Sequence, residues 1–429
     1  MLDSFQAALA AVDPVRVVPP HLPALPGSWG GRILVVAVGK AAASMALGVE
    51  RHWRRHAAWD RLEGIALTRY GHGLPLERIR VVEAGHPLPD ARGEQAARDI
   101  LDRVRALDRG DLLLCLISGG GSSLLSLPLT GVSLTDVRLL TSQLLRCGAP
   151  IQDINVVRKH LFAVHGGRLA AASRAPVRAL IVSDVTGDDP SDVASGPCAP
   201  DPSTCSDALE VLARHRIDVP LAVGRLLRTG EEGESPKPGD AAFRQVENSV
   251  VATACDALRG AVAYFHDQGI PAVILDHAVT GEAREAAARM AGLSLRIRRH
   301  GQPWKTPVVL LSGGETTVTL AGGKGAVDTV PAGRGGRNSE FLLSLAVELG
   351  EGENIHALAC DTDGIDGSER NAGAVVTPDC LRRARRIGMD ARNVLARHDA
   401  YTFFERLGDL VITGPTRTNV NDYRAILIP

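Results

Sequence analysis

The stretch Leu112–Leu127 reads LLLCLISGGGSSLLSL: an uncharged aliphatic run, then Ser118-Gly119-Gly120-Gly121-Ser122-Ser123, then aliphatics again. A short continuous apolar run suits a strand buried on both faces, the habit of parallel sheets covered by helices. Glycines at its end lack a Cβ, so backbone N–H groups can turn toward an anion, and Ser122 and Ser123 add hydroxyl donors. A tight strand-to-helix turn with capping serines competes with that reading. Three glycines flanked by three serines favour anion binding.

Outward from this stretch the pattern repeats. Apolar strands are expected at Ile33–Val38, Ala179–Ser183, Ser249–Ala252, Ala272–Leu275, Pro307–Leu311 and His356–Ala359. Helical periodicity fills Glu94–Leu107, Leu134–Arg146, Ala254–Gln268, Gly281–Ala291 and Ser339–Leu349. Strands alternating with helices predict an α/β fold with mostly parallel sheet, and ligands beyond the carboxyl ends of its strands. A chain of 429 residues exceeds one compact core, so two domains are expected. The Gly-, Pro- and charge-rich stretch Arg228–Asp240 reads as a surface loop or linker, giving domains 1–240 and 241–429.

A net charge of -1 gives no electrostatic case for nucleic acid or an anionic membrane. No apolar run is long enough to span a bilayer and no basic, then apolar, leader opens the chain, so a cytoplasmic protein is expected. The seven cysteines form no CxxC pair and read as reduced thiols. No HExxH or dense His/Cys metal spacing occurs, and no GxGxxG dinucleotide fingerprint. A homodimer is compatible with this composition without being required by it.

The second half echoes the first. Pro307–Leu320, PVVLLSGGETTVTL, has the plan of Leu112–Leu127, with Ser312-Gly313-Gly314-Glu315-Thr316 as its loop. Glu315 would repel a phosphate unless it binds a metal or a ligand hydroxyl. Downstream, ALIVSDVTGDDPSDVASG resembles HALACDTDGIDGSERNAG, setting Asp184 against Asp361, Gly187 against Gly364 and Asp189 against Asp366. Such a pair suggests a duplicated scheme or two loops serving one cleft. Clustered carboxylates (Asp184, Asp188 and Asp189; Asp361, Asp363 and Asp366) suit Mg²⁺ and activation of a hydroxyl, although Asp and Gly are also ordinary turn residues.

Lys40 in Val38-Gly39-Lys40-Ala41 ends the first strong strand. This is not a P-loop, because Leu34 stands where the earlier glycine is required. A lysine at a helix start stands against the helix dipole, which points to a phosphate or carboxylate partner. Arg337, in Gly333-Arg334-Gly335-Gly336-Arg337-Asn338, is placed to grip a carboxylate or a transferring phosphoryl group. Asn155 and Lys159 share one helix face and point to a ligand, His160 reads as a structural histidine, and His86 reads as a loop-fixing residue.

Together VGKAA, AGHPLPD, ISGGGSSLL, INVVRKHL, GGRLA, SDVTGDDPSDVASGP, LSGGETTV, GGRN and TDGIDG resemble the glycerate 2-kinase family, in order from about Phe5 to about Pro415. That family has also been called hydroxypyruvate reductase, and its C-terminal module is the MOFRL domain, here about 305–420. The resemblance implies an N-terminal Rossmann-like domain, a smaller C-terminal α/β domain and a site in the cleft between them. It implies ATP-dependent phosphorylation of D-glycerate at the 2-hydroxyl with Mg²⁺ or another divalent cation. It further implies Lys40, Asp184 and Arg337 as catalytic residues. The substrate- or phosphate-binding set is then the Ser118–Ser123 loop, Asn155, Lys159, the Ser312–Thr316 loop and Asn338. Asp363 and Asp189 are the implied metal ligands. The family pattern GGRNQE is broken by Ser339, which replaces an amide near the site and bears on substrate fit.

Overall fold

The structure, a computed structural model, describes residues 1–25, 29–319 and 333–429. Leu320, which ends the second Ser-Gly-Gly stretch, and part of the region 305–420 lie outside them. The chain divides into two compact units, Asp13–Ala252 and Thr253–Pro429, the latter joined by Met1–Val12.

The unit Asp13–Ala252 is built on β1 (Ile33–Val38), β2 (Leu62–Arg69), β3 (Ile79–Ala84), β4 (Leu112–Ser118), β5 (Val177–Val182) and β6 (Val246–Ala252). All neighbours pair in parallel, in the order β3-β2-β1-β4-β5-β6. Every residue of β1 and β4 is buried. Leu34, Val36 and Val38 pack with Leu67, Cys115 and Ile117 in one core, while the alternate residues Ile33, Val35 and Ala37 are buried on the opposite face. A doubly covered sheet is therefore present, as the uncharged runs demand. In this strand order the chain leaves β1 toward one edge and β4 toward the other, so the strand order switches between them, the place where such sheets bind ligands. Lys40 and the Gly-Ser loop occupy the loops after those two strands.

The second unit carries β7 (Ala272–Asp276), β8 (Val308–Ser312), β9 (His356–Asp361), β10 (Gly373–Val376), β11 (Leu410–Val411) and β12 (Asp422–Ile428). Their order is β11-β10-β9-β12-β8-β7. Only β7 and β8 pair in parallel; the other neighbours are antiparallel. Helices Ala283–His300 and Arg337–Leu349 cover it, with Phe341, Leu345 and Ile426 fully buried in its core. The helix Leu2–Ala11 joins this unit: Tyr423 Oη lies 2.8 Å from Ser4 Oγ, and Phe5 stacks near the Tyr423 ring.

The expected division at 240 and the compact units differ. β6 hydrogen-bonds to β5, which carries the first unit to Ala252, and the first twelve residues pack with the second unit. The halves also differ in plan. β4 and β5 are direct neighbours, whereas β12 lies between β8 and β9. Among the described residues no helix is long and apolar enough to cross a membrane.

Because β12 is central, Ile426→Ala should cost about 2–5 kcal/mol in urea denaturation, as for other aliphatic truncations in a closed core. A loss within about 0.5 kcal/mol would mean a strand lying at the surface.

Candidate active site

In the first unit, β1 and β4 bring two loops into register (Val38 opposite Ile117), so the residues that follow meet directly. Gly39 has φ +117°, and a Cβ there would lie 2.3 Å from the Ser118 carbonyl oxygen. Only glycine lets the β1 loop pass so close. The Lys40 N–H donates to the Gly119 carbonyl at 2.9 Å, and the Ala41 N–H to Ser118 Oγ at 3.0 Å. Gly120, at φ +79°, starts the short helix Gly121–Leu124; a Cβ on it would lie 2.9 Å from His86 Nε2 and 3.3 Å from Lys40 Cγ. Lys40 is thus set beside the glycine turn, with the His86 ring against the same residue. His86 is closer to this loop than a loop-fixing role between prolines requires.

Ser122 is tied in from a segment that carries no obvious motif. The Ser195 hydroxyl links Ser122 Oγ at 2.8 Å and Asn155 Oδ1 at 2.9 Å. Ala194, Ser195 and Gly196 all adopt positive φ, and Ala194 packs where a side chain on Gly121 would lie. Two successive non-glycine residues in the left-handed region store strain held by the surrounding packing. Asn155 also donates to the Asp192 carbonyl at 3.2 Å. Lys159 is buried 3.5 Å from Asp201 and 3.8 Å from Asp192, an internal ion-pair position. Asp184 is half-buried just beyond β5. Asp189 is exposed and accepts from the Ser191 N–H at 2.8 Å, an Asx turn rather than part of a carboxylate cluster.

The second unit holds a denser group. Arg337 is the first residue of helix Arg337–Leu349. Its Nε donates to both oxygens of Asp422 at 2.9 and 3.0 Å, its Nη2 to Asp361 at 2.7 Å, and its Nη1 lies 3.0 Å from Glu315. Burial works against this charge, but Asp422, Glu315 and Asp361 outweigh it and hold the guanidinium pKa well above its ordinary value. Asn338 donates to Asp422 at 2.7 Å. Fully buried Arg424 donates to the Gly313 carbonyl at 2.9 Å, to Thr316 Oγ1 at 3.1 Å and to Asp422. The Ser312 hydroxyl is buried against Met290 Sδ. The Ser312–Thr316 loop therefore wraps an arginine, unlike the glycine turn after β4, which lies against Lys40 and His86.

Asp366 fills another place. Its carboxylate accepts from the Asn338 N–H at 2.9 Å, from the Ser339 N–H at 2.8 Å and from the Ser339 hydroxyl. It caps the helix that Gly336, at the N-cap, cannot cap itself. Burial raises the Asp366 pKa despite those donors. Asp361 ends β9 and Asp363 lies two residues on, its N–H donating to Asp361 Oδ1 at 2.9 Å. Their donor set is all oxygen, which fits a hard cation such as Mg²⁺.

The chain matches a domain of unknown function, DUF4147, over residues 1–228, and the MOFRL family over residues 308–422. It is 38% identical to the D-glycerate 2-kinase of Thermotoga maritima, over 98% of this chain and 96% of that protein. It is 49% identical to an Agrobacterium vitis protein provisionally named a hydroxypyruvate reductase, over 99% of this chain and 93% of that one. Its fold superposes on the crystal structure of a Thermotoga maritima glycerate kinase with a TM-score of 0.84 and 36% identity, covering 100% of this chain and 98% of that one. The chain belongs to the glycerate 2-kinase family.

Sequence reasoning missed Ser195, Asp422 and Arg424. The last two stand in Asn421-Asp422-Tyr423-Arg424-Ala425-Ile426-Leu427-Ile428, whose apolar tail is a strand signal; its charges disguised it. Ser195, in Val193-Ala194-Ser195-Gly196, gave no signal of its own.

Asp422→Asn should remove about 3–5 kcal/mol of stability, because buried Arg424 loses its one carboxylate hydrogen-bond partner among the described residues. Chemical denaturation measures this; a loss below about 1 kcal/mol would show that the arginines do not depend on Asp422.

Proposed function

We propose that this chain is a D-glycerate 2-kinase that transfers the γ-phosphoryl group of ATP to the 2-hydroxyl of D-glycerate, giving 2-phosphoglycerate and ADP. The observation that carries the proposal is Lys40 set against the glycine turn at the β1/β4 divergence, in a chain related over nearly its whole length to a D-glycerate 2-kinase. That switch point is where α/β sheets bind ligands.

In this reading the Ser118–Ser123 loop offers backbone and hydroxyl donors to an anionic group, and Lys40 neutralises it. Ser195 fixes the rotamers of Ser122 and Asn155. Asp184 orients the 2-hydroxyl and takes its proton as the phosphoryl group is transferred. Arg337 arrives preorganised, with its Nε and Nη2 held by buried Asp422 and Asp361. Its Nη1 partner, Glu315, is 52% exposed and is the one a phosphoryl oxygen displaces. Asp363, with Asp361, would hold a Mg²⁺ ion, which would supply neutralisation of the polyphosphate charge. Phosphoryl transfer asks for little else than such positioning and electrostatics. All seven cysteines are free, which suits a reducing cytoplasm as the place of reaction.

Lys40→Ala and Asp184→Asn should each lower kcat by at least about 10²-fold in an ADP-coupled assay with D-glycerate. ³¹P NMR should show 2-phosphoglycerate as the product. Near-normal turnover in either variant removes that residue from the mechanism. Brisk NADH oxidation with hydroxypyruvate, without glycerate-dependent ADP release, overturns the kinase assignment.

Loss of the Ser195 tether should act on binding more than on chemistry. Ser195→Ala is expected to raise KM several-fold while kcat changes less, since one neutral hydrogen bond contributes about 1 kcal/mol.

A further inference from the structure

Away from the Gly-Ser loop, the first unit buries a histidine with one ring nitrogen that makes no hydrogen bond. His160 follows helix Ile151–Lys159 and is fully buried. Its Nδ1 lies 2.8 Å from the Val156 carbonyl oxygen, which can only accept, so Nδ1 carries the proton. Nε2 is then a bare lone pair, and it has no hydrogen-bond partner. Instead it faces two carboxylates, Asp201 Oδ2 and Glu234 Oε2, each at 3.8 Å. These three groups can only accept, so they call for a donor or a cation; Lys237 meets Glu234, and Lys159 and Ser235 meet Asp201, but none of them hydrogen-bonds to Nε2. Burial holds the imidazole pKa below its ordinary value, against Asp201 and Glu234, which raise it.

Cys205 completes the group. It is the first residue of helix Cys205–Arg214 and is 3% exposed. One atom from each of His160, Cys205 and Glu234 lies within 4.8 Å of the others, the one such group among the described residues. Burial, then Glu234, pushes the thiol pKa up to about 12. Lys237 Nζ lies 2.9 Å from Glu234 Oε2 and also donates to Ser235 and to the Ser203 carbonyl. The ammonium thus answers Glu234 but supplies nothing to His160.

We propose that His160, Cys205 and Glu234 bind a single Zn²⁺ ion. Imidazole, thiolate and carboxylate are the ligand types of zinc, and the sulfur disfavours Mg²⁺ and Ca²⁺. Tetrahedral zinc with bonds of about 2.0–2.3 Å sets its ligands roughly 3.3–3.8 Å apart, so the group closes with small side-chain movements. The Nδ1–H bond to Val156 is the outer contact that fixes a ligating histidine in the required tautomer. Binding forms a Zn–S bond, and the thiol proton leaves to solvent. Zn²⁺ takes Glu234 from Lys237, whose ammonium keeps Ser235 and Ser203. Water, or a shifted Asp201, supplies the fourth ligand. The ion joins helices Ile151–Lys159 and Cys205–Arg214, which already share a core through Ile154, Val157, Ala208 and Leu212, to the segment bearing Glu234.

The test uses the full chain, stripped with a chelator and titrated with Co²⁺ as a spectroscopic stand-in. The wild type should take up about one equivalent, with tetrahedral visible bands and a thiolate-to-cobalt charge-transfer band, both abolished by added Zn²⁺. Cys205→Ser should lose the charge-transfer band and bind at least about tenfold more weakly. Glu234→Gln, at a half-exposed position, should weaken binding but keep the band. Cys147→Ser, at an exposed thiol, should behave as wild type. Zn²⁺ should raise the Tm of the wild type and not of Cys205→Ser. Absence of the charge-transfer band in the wild type overturns the proposal whether or not any variant folds. So does a band that survives in Cys205→Ser.

Discussion

The second unit depends on one carboxylate. Asp422 opens β12, the strand between β8 and β9, and accepts from Arg337, Asn338 and Arg424 at once. Two arginines so close would not be tolerated without it, since each must leave water and would face the other. The consequences differ for the two. Arg424, with one carboxylate hydrogen-bond partner and neutral acceptors at Gly313 and Thr316, has its pKa lowered, chiefly by burial. Arg337, ringed by Asp422, Glu315 and Asp361, is held in the charged form. One residue has become part of the scaffold, and the other a fixed charge at a helix start.

That arrangement explains why the two halves look alike in sequence but not in plan. In the first unit, the Gly-Ser strand and the Asp184 strand are parallel neighbours, and the glycine turn packs beside Lys40 and His86. In the second, β12 stands between the corresponding strands and its charged start fills the space between their ends. The Ser312–Thr316 loop therefore turns its carbonyl and hydroxyl inward to Arg424. A shared motif records a shared strand-to-loop geometry; what the loop then faces depends on the neighbouring strand.

Legibility followed burial. β1 was readable to its bounds because ILVVAV is apolar throughout and covered on both faces. β2 and β3 were not, since LEGIALTR and IRVVEA carry charges that periodicity treats as solvent-facing. β12 hides Asp422 and Arg424 in the same way: both are buried only because they meet each other and their partners. Lys40, the first glycine loop and Arg337 were visible because their residue types are costly without a purpose. Ser195 and the His160–Cys205–Glu234 group were not, because their members come from separate segments and no spacing connects them.

Ser339 shows how the structure reinterprets a departure from a family pattern. Where the family has glutamine, a serine appeared to remove an amide near the substrate. Yet its hydroxyl and N–H both go to Asp366, and the Asn338 N–H joins them. The carboxylate sits so close to Gly336 that a Cβ there would lie 2.3 Å from Asp366 Oδ1. A helix start with a bare glycine cap is thus completed from a distant loop, and a short hydroxyl fits beneath that carboxylate. The same contact fixes the axis of the helix whose first residue is Arg337. Position 339 therefore acts on the direction of the arginine through the cap.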